Sequence, residues 1–300
     1  MKKISIFLLA LSTLAITPSC SDDENLTPTN ADINGFAPAV DDNSATAQIR
    51  NDFFKATGAY LLFTDTLVSK SSNGKPELFD ATYSITGSAS VSTDISNYDY
   101  KYVYITNPEK QRMAAGIIRE YLVSKLGKQL PFSFFLVDDA YYQYTTWSGS
   151  IRTTHLPMLI APRGYVISTQ DCLLYQNPDS LVSTLLSDIV IDKIKKADDA
   201  VTAQFYAFSK DYYGADFSDF NLNLDDFEDD PTLIWNYGMF TYGNYWGGYF
   251  YNKNNDTNSW VKAVLAQDRE TFARTYGASA TMMAKYDALK KVISDMGFNI

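Results

Sequence analysis

The chain has 300 residues, with 35 Asp and Glu against 25 Lys and Arg, so its formal net charge at pH 7 is −10. Nucleic acids and anionic membrane surfaces would repel such a protein, and this makes both of them poor candidates as partners. Only two cysteines are present. If one of them is modified, no internal disulfide can form.

The first twenty residues have the layout of a secretory signal. Two lysines follow Met1, residues 4–16 are almost wholly apolar, and Cys20 comes four residues later. An apolar run of about thirteen residues is too short to span a hydrocarbon core, which needs about twenty. A cysteine at the cleavage point is typical of bacterial lipoproteins, in which its thiol carries diacylglycerol. We therefore expect a signal peptide over residues 1–19 and lipidation at Cys20. The alternative is a plain signal peptide with a coincidental cysteine.

A polar segment follows Cys20. It begins with Ser21-Asp22-Asp23-Glu24, and the residues up to 43 are rich in Asn, Asp, Thr, Pro and Ala. Such a stretch buries too little apolar surface to offset its ordering entropy, so residues 20–43 are expected to form a flexible acidic tether. Acidic residues here resemble the export signal of lipoproteins on the surface of Gram-negative gut bacteria, which implies a lipid-anchored location at the cell outer membrane. An ordinary solvated tether is the alternative.

Residues 44–300 are long enough to form one domain with a substantial core. In the first half, helices are expected at 44–55, ended by Gly58, and at 107–126, begun by Asn107 and Pro108. Alternating apolar and β-branched residues predict strands at 60–63, 79–85, 100–105, 132–137, 141–147 and 157–168. The second half is mainly helical, with helices expected at 178–196, 200–209, 260–275 and 280–296. This order predicts an α+β domain with a mixed sheet in its first half.

Three segments carry a resemblance to a known family. They are IRNDFFKATG at 49–58, WVKAVL at 260–265 and the closing helix at 285–297. In this order they resemble the zinc-binding metallopeptidase lipoproteins of Gram-negative gut bacteria, and the likeness covers most of the mature chain. The resemblance implies a zincin-like fold, in which one helix bears the motif H-E-x-x-H and a downstream carboxylate is the third zinc ligand.

The motif residues themselves are replaced. In H-E-x-x-H, two His on one helix face bind zinc and Glu activates the bound water. The resemblance places Ser187 and Ile191 at the His positions, Asp188 at the Glu position, and Asp256 in the downstream acidic stretch. Independently of that placement, the chain has a single histidine, His155, so no site that needs two can form. We therefore expect no catalytic zinc and no other cofactor, with the helix kept as a scaffold.

The most unusual feature is a run of nine aromatic residues and four glycines between residues 235 and 251, called the aromatic segment below. Tyr and Trp rings combine an apolar face with a polar group, which suits stacking against sugars or peptides. The candidates for such a platform are Trp235, Tyr242, Tyr245 and Trp246. The alternative is that the rings fill a core. The paired glycines 247 and 248 favour an exposed segment, because a packed one would seldom need their freedom.

Weaker candidates have ordinary explanations as well. His155 is expected to be a partly buried imidazole rather than a ligand. Asp188 and Asp192, one helical turn apart, are either a carboxylate pair or a solvated helix edge flanked by lysines. The acidic residues at 225–230 are either a calcium loop or a solvated loop, and they lack the alternating ligand order of known calcium loops.

Taken together, the sequence predicts an α+β domain tethered to membrane lipid through Cys20, catalytically inactive and binding a glycan or peptide, and the resemblance implies that its fold is zincin-like. The resemblance also implies an outer-membrane transporter of a nutrient-uptake system as a partner. Two other classes stay open. One is a zinc-independent hydrolase that uses carboxylates such as Asp188, and the other is a structural subunit of an outer-membrane complex.

Overall fold

The computed structural model describes residues 34–68, 75–79, 100–170, 178–245 and 247–300. The strands are β1 (Tyr60–Leu62), β2 (Thr66–Val68), β3 (Glu77–Leu78), β4 (Tyr100–Tyr104), β5 (Ser133–Thr145), β6 (Ile151–His155), β7 (Met158–Ala161), β8 (Gly164–Ser168), β9 (Tyr242–Gly243) and β10 (Tyr249–Phe250). The α-helices are α1 (Ala45–Thr57), α2 (Pro108–Ile117), α3 (Ser124–Leu126), α4 (Pro178–Lys196), α5 (Asp199–Tyr206), α6 (Leu224–Asp229), α7 (Lys253–Ala266), α8 (Arg269–Tyr276) and α9 (Ala280–Asp295). A π-helical turn, Ile118–Val123, joins α2 to α3. None of the described helices is both long and apolar enough to cross a membrane.

The long strand β5 organises a mixed sheet in the first half of the chain. Parallel neighbours β1 and β8 flank the beginning of β5, where Phe134 lies between Leu61 and Tyr165. Antiparallel neighbours β4 and β6 flank its end, and β7 extends the sheet beyond β8. The expected mixed sheet is confirmed, but the two strands expected at 132–137 and 141–147 are one continuous strand. The β4–β5 register shifts between Val103 and Tyr104, so that β4 skips Asp138, as at a β-bulge.

The sheet separates two hydrophobic clusters. On one face, Phe134 and Leu136 of β5 pack with the helices in the larger cluster. On the other face, Phe135 and Val137 pack with Phe36 in a second, smaller cluster. Successive residues of a strand point to opposite faces, so the apolar beginning of β5, up to Val137, is buried on both sides.

Local signals set where the first helices begin. Ser44 precedes α1, and its hydroxyl accepts a hydrogen bond from the Ala47 amide at 3.1 Å. Gly58 ends α1 in the left-handed conformation, with φ of 79°. Asn107 caps α2 through bonds from the amides of residues 109 and 110. These ends agree with the predicted ones, because each depends on one side chain and its immediate neighbours.

The second half is mainly helical, as predicted. The helix α4 lies in the interior, and ten of its nineteen residues are buried. The single helix expected at 260–275 is two helices, α7 and α8. Gln267 is extended between them, and Asp268 begins α8 by accepting a bond from the Thr271 amide at 2.7 Å. The strand expected at 79–85 lies largely outside the described residues, as does the region of the chain up to residue 33.

Candidate functional site

The structure places two of the three motif positions of α4 in packed surroundings. Ser187 is buried, and its hydroxyl donates to the carbonyl of Ser183 at 2.8 Å. Ile191 is buried in the larger hydrophobic cluster. Neither side chain offers a free ligand atom to a metal ion. Ser187 and Ile191 therefore do not form an open zinc site with Asp188.

Asp188 is the exception, because it is half-buried. Burial raises the pKa of its carboxyl group, while Lys262 of α7 and Lys195 act in the opposite direction. Asp192, one turn further on, is buried and pairs with Lys196 at 2.9 Å. The interpretation of this stretch as a solvated helix edge is therefore wrong for Asp192, because its side chain is buried.

The remaining titratable candidates are also located. The imidazole of His155 is exposed rather than partly buried, because β6 has only β5 as a neighbour in the described sheet. Its Nδ1 lies 2.8 Å from Asp139 of β5. The acidic residues at 225–229 belong to the helix α6 and not to a loop. Across the residues described, no group of three or more His, Cys, Asp or Glu is placed to hold a metal ion.

Most rings of the aromatic segment pack into a third hydrophobic cluster, the ring cluster. Its buried members are Phe217, Phe227, Ile234, Met239 and Phe250. Tyr242 contacts two of them, with its ring centroid 5.5 and 5.6 Å from those of Phe217 and Phe227. The Trp235 ring packs edge-on against that of Tyr276 at 5.0 Å. Tyr245 is 71% exposed, and Trp246 lies outside the described residues.

Two glycines of the segment are required by this packing. The Tyr249 ring lies directly over Gly243, so a Cβ there would overlap the ring. Gly248, with φ of 92°, would bring a Cβ to 2.5 Å from the Phe217 ring. The inference that the glycines favour an exposed segment is therefore wrong at Gly248. Glycine there allows a ring to approach the backbone closely.

A buried lysine fixes the aromatic segment to the helices. Lys285 of α9 is completely buried, and its Nζ donates three hydrogen bonds. The acceptors are Asp256 Oδ2 of α7 at 2.6 Å, Ser209 Oγ after α5 at 2.7 Å, and the carbonyl of Gly238 at 2.9 Å. All three ammonium protons are thus used, which is the condition under which a charge can be buried.

Further groups complete what we call the Lys285 cluster. The Tyr213 hydroxyl donates to the same Asp256 oxygen at 2.6 Å, and Trp260 Nε1 donates to the Gly238 carbonyl at 2.9 Å. The ammonium also lies 5.2 Å from the centroid of the Trp260 ring, a favourable cation–π position. Burial lowers the pKa of Lys285 to about 8 although Asp256 favours its charged form. Burial likewise raises the pKa of Asp256, against the effect of Lys285.

The Lys285 cluster was not predicted from the sequence, although the positions of its two charged residues on their helices indicate it. Lys285 lies on the apolar stripe of α9 with Met282, Leu289 and Val292, all of them buried. In the same way, Asp256 lies four residues before Trp260 on the buried stripe of α7. A charged residue at a core position of a helix requires a buried partner. A buried aspartate on one helix and a buried lysine on the other therefore indicate an ion pair between the two helices.

Comparison with protein-family models, with curated proteins and with solved structures found no significant match to this chain.

Proposed function

We propose that the protein is a lipid-anchored, non-catalytic domain of the outer-membrane surface, a degenerate and zincin-like relative of the zinc metallopeptidase lipoproteins. The observation that supports this best is the contact of Asp256 with Lys285 at 2.6 Å. The resemblance implies that Asp256 stands in the stretch that supplies the third zinc ligand. Here an ammonium group compensates its charge, so the carboxylate is not free to bind a cation.

The donor set on α4 supports the same proposal. Zinc in proteins binds imidazole, thiolate and carboxylate groups. Ile191 has no such group, and the hydroxyl of Ser187 is hydrogen-bonded within its own helix. The residues present therefore do not fit zinc, and no catalytic step through a metal follows from them.

The proposed activity is binding of a glycan or peptide at the exposed edge of the aromatic segment. Tyr245 is the described candidate with an exposed ring. The rings of Trp235 and Tyr242 are partly buried by their packing inside the protein. Association with an outer-membrane transporter is part of the proposal through the resemblance alone. A lipid at Cys20 would hold the domain at the membrane in which such a transporter lies.

A second candidate, a zinc-independent hydrolase, is favoured by one observation. A carboxyl group whose pKa is raised by burial suits a general acid, and Asp188 has this property. Lysines near it on α4 and α7 stabilise its charged form and oppose that role.

Catalysis and metal content are tested together on the purified protein. We expect no stoichiometric zinc by elemental analysis and no cleavage of casein or of a peptide library. One zinc per chain, with activity lost to a chelator, would contradict the non-catalytic proposal. Chelator-resistant hydrolysis that disappears in Asp188→Asn would establish the hydrolase instead.

Ligand binding is tested by screening the wild type on glycan and peptide arrays. For any ligand found, Tyr245→Ala should weaken binding several-fold, because a stacked ring contributes on the order of 1 kcal/mol. Tyr121→Ala is the matched control, since Tyr121 is an exposed tyrosine outside the aromatic segment. Equal binding by wild type and Tyr245→Ala would place the ligand elsewhere on the protein.

A further inference from the structure

A cavity of about 240 Å³ lies between α1 and α2, on a part of the molecule that the proposed function does not use. Its walls are Ile49, Phe53 and Ala115, which are buried, and Asp52, Arg112 and Arg119, which reach solvent. The cavity thus has an apolar floor and a charged rim. Ligand sites of proteins commonly combine these two features.

Gly116 lines this cavity. It is the ninth of the ten residues of α2, and a Cβ built on it would meet no atom within 4 Å. Glycine inside a helix is less stable than alanine by about 0.5–1 kcal/mol. The packing of the described residues gives no steric reason for this glycine. Its effect is to leave room above the helix, where the cavity lies.

The helix changes its geometry directly after Gly116. The π-helical turn Ile118–Val123 carries Arg119 to the rim, while Ile118 and Leu122 of the same turn are fully buried. Turns of this type are rare and occur frequently at functional sites. Here the buried residues fix the turn in the core, so packing sets the backbone from which Arg119 reaches the rim.

The two arginines are available to a ligand. Arg112 makes no ion pair with another described residue, and Arg119 pairs with its neighbour Glu120 at 3.1 Å. That pair is exposed on both sides and contributes little, so a better acceptor can replace it. A guanidinium group binds a carboxylate with two parallel hydrogen bonds. The rim also offers the Asp52 carboxylate to a positive group.

We propose that this cavity binds a short apolar peptide by its carboxyl end. Arg112 and Arg119 take the terminal carboxylate, the apolar floor takes a side chain, and Asp52 takes the ammonium group. The volume is below the range of about 300–1,000 Å³ for drug-sized ligands, which suits a dipeptide. Inorganic phosphate would satisfy the arginines but leave the floor uncovered. The site shares no residue with the aromatic segment and does not rest on the function proposed above.

Calorimetry on the full-length protein tests the ligand class. The dipeptide Leu-Leu should bind, its carboxyl-terminal amide should bind at least tenfold more weakly, and inorganic phosphate should give no measurable heat. Failure of Leu-Leu to bind, or equal binding of the acid and the amide, would overturn the proposal. Phosphate binding as tight as that of the dipeptide would also overturn it, by showing a general anion site.

Variants test the location. Gly116→Leu should fill the cavity and abolish dipeptide binding without lowering the melting temperature, and Arg112→Met should weaken binding at least tenfold. Lys110→Met is the control, since it removes a cation from α2 outside the cavity. Wild-type affinity in Arg112→Met would overturn the proposal even if Gly116→Leu failed to fold. Unchanged dipeptide binding in Tyr245→Ala would separate this site from the one in the aromatic segment.

Discussion

At the scale of single residues, the Lys285 cluster shows how a buried charge governs stability. We predict that Lys285→Met lowers the free energy of unfolding by about 3–5 kcal/mol, because Asp256 would stay buried without its partner. Urea unfolding followed by circular dichroism measures this loss. The lost bonds to Ser209 and to the Gly238 carbonyl add to the effect.

The double variant Lys285→Met with Asp256→Leu is the control for this prediction. Replacing both partners of a buried ion pair by apolar residues is often neutral. We expect the double variant to be clearly more stable than Lys285→Met alone. Equal stability of the two variants would show that the unpaired carboxylate is not the cause, and that the lost packing of the lysine and its lost bonds to Ser209 and Gly238 are.

A pH dependence is expected at Asp188. Burial raises its pKa in the folded protein above the ordinary value, so between these two values the folded state binds more protons than the unfolded state. The stability that this group contributes is therefore largest below the ordinary pKa and declines as the pH rises through the raised one. We predict that Asp188→Asn is more stable than the wild type at pH 7, by less than about 1 kcal/mol, because solvent screens a half-exposed group.

Urea unfolding at pH 7 and pH 3 checks this, since the difference between Asp188→Asn and the wild type should vanish at the lower pH. Asp211→Asn, at an exposed position, should change nothing at either pH. A destabilised Asp188→Asn at pH 7 would mean that Lys195 and Lys262 outweigh the cost of burial.

At the scale of elements, the sequence predicted those features that depend on residues close together in the chain. The beginnings of α1 and α2 follow from Ser44 and Asn107, each of which bonds to amides two or three residues away. The π-helical turn of 118–123 could not be predicted, because its apolar spacing is that of an α-helix. The continuity of β5 through Asp138 and Asp139 depends on pairing with β4, which lies on the far side of α2 in the sequence.

The candidate site was less predictable than the fold, for a physical reason. Ring content alone does not distinguish a binding platform from a core, because the same side chains serve both. The outcome depends on Phe217 and Phe227, which approach the aromatic segment from a separate part of the chain. The ion pair between α7 and α9 was likewise visible only as two charges on apolar stripes.

The two roles of the rings lead to opposite predictions. Phe250 is fully buried, with its ring centroid 4.9 Å from those of Phe217 and Tyr237, so Phe250→Ala should cost about 3–5 kcal/mol. Tyr245 is exposed, and Tyr245→Ala should change stability by less than about 0.5 kcal/mol. Thermal melts of both variants measure the contrast. A large loss in Tyr245→Ala would exclude it as a free binding residue.

At the scale of the whole molecule, two properties bear on where the protein works. Removal of the expected signal would take away two lysines, which leaves 23 basic against 35 acidic residues and a net charge of −12. An acidic domain is repelled by anionic lipid, so electrostatic attraction cannot hold it at a membrane. None of the described helices can span a bilayer. The membrane attachment that we propose therefore depends on the lipid predicted at Cys20.

The last prediction therefore concerns Cys20. Each buried methylene contributes about 0.8 kcal/mol, and two or more acyl chains are needed for stable anchoring. A fatty-acid probe should label the wild type but not Cys20→Ala, and the variant should leave the membrane fraction. Cys172→Ala is the matched control, since it removes the only other cysteine and should keep both the label and the location. Equal labelling of Cys20→Ala and wild type would contradict lipidation at this residue. If the acidic tether directs export, protease added to intact cells should remove the domain from wild type, whereas an inward-facing domain would resist it until the cells are broken.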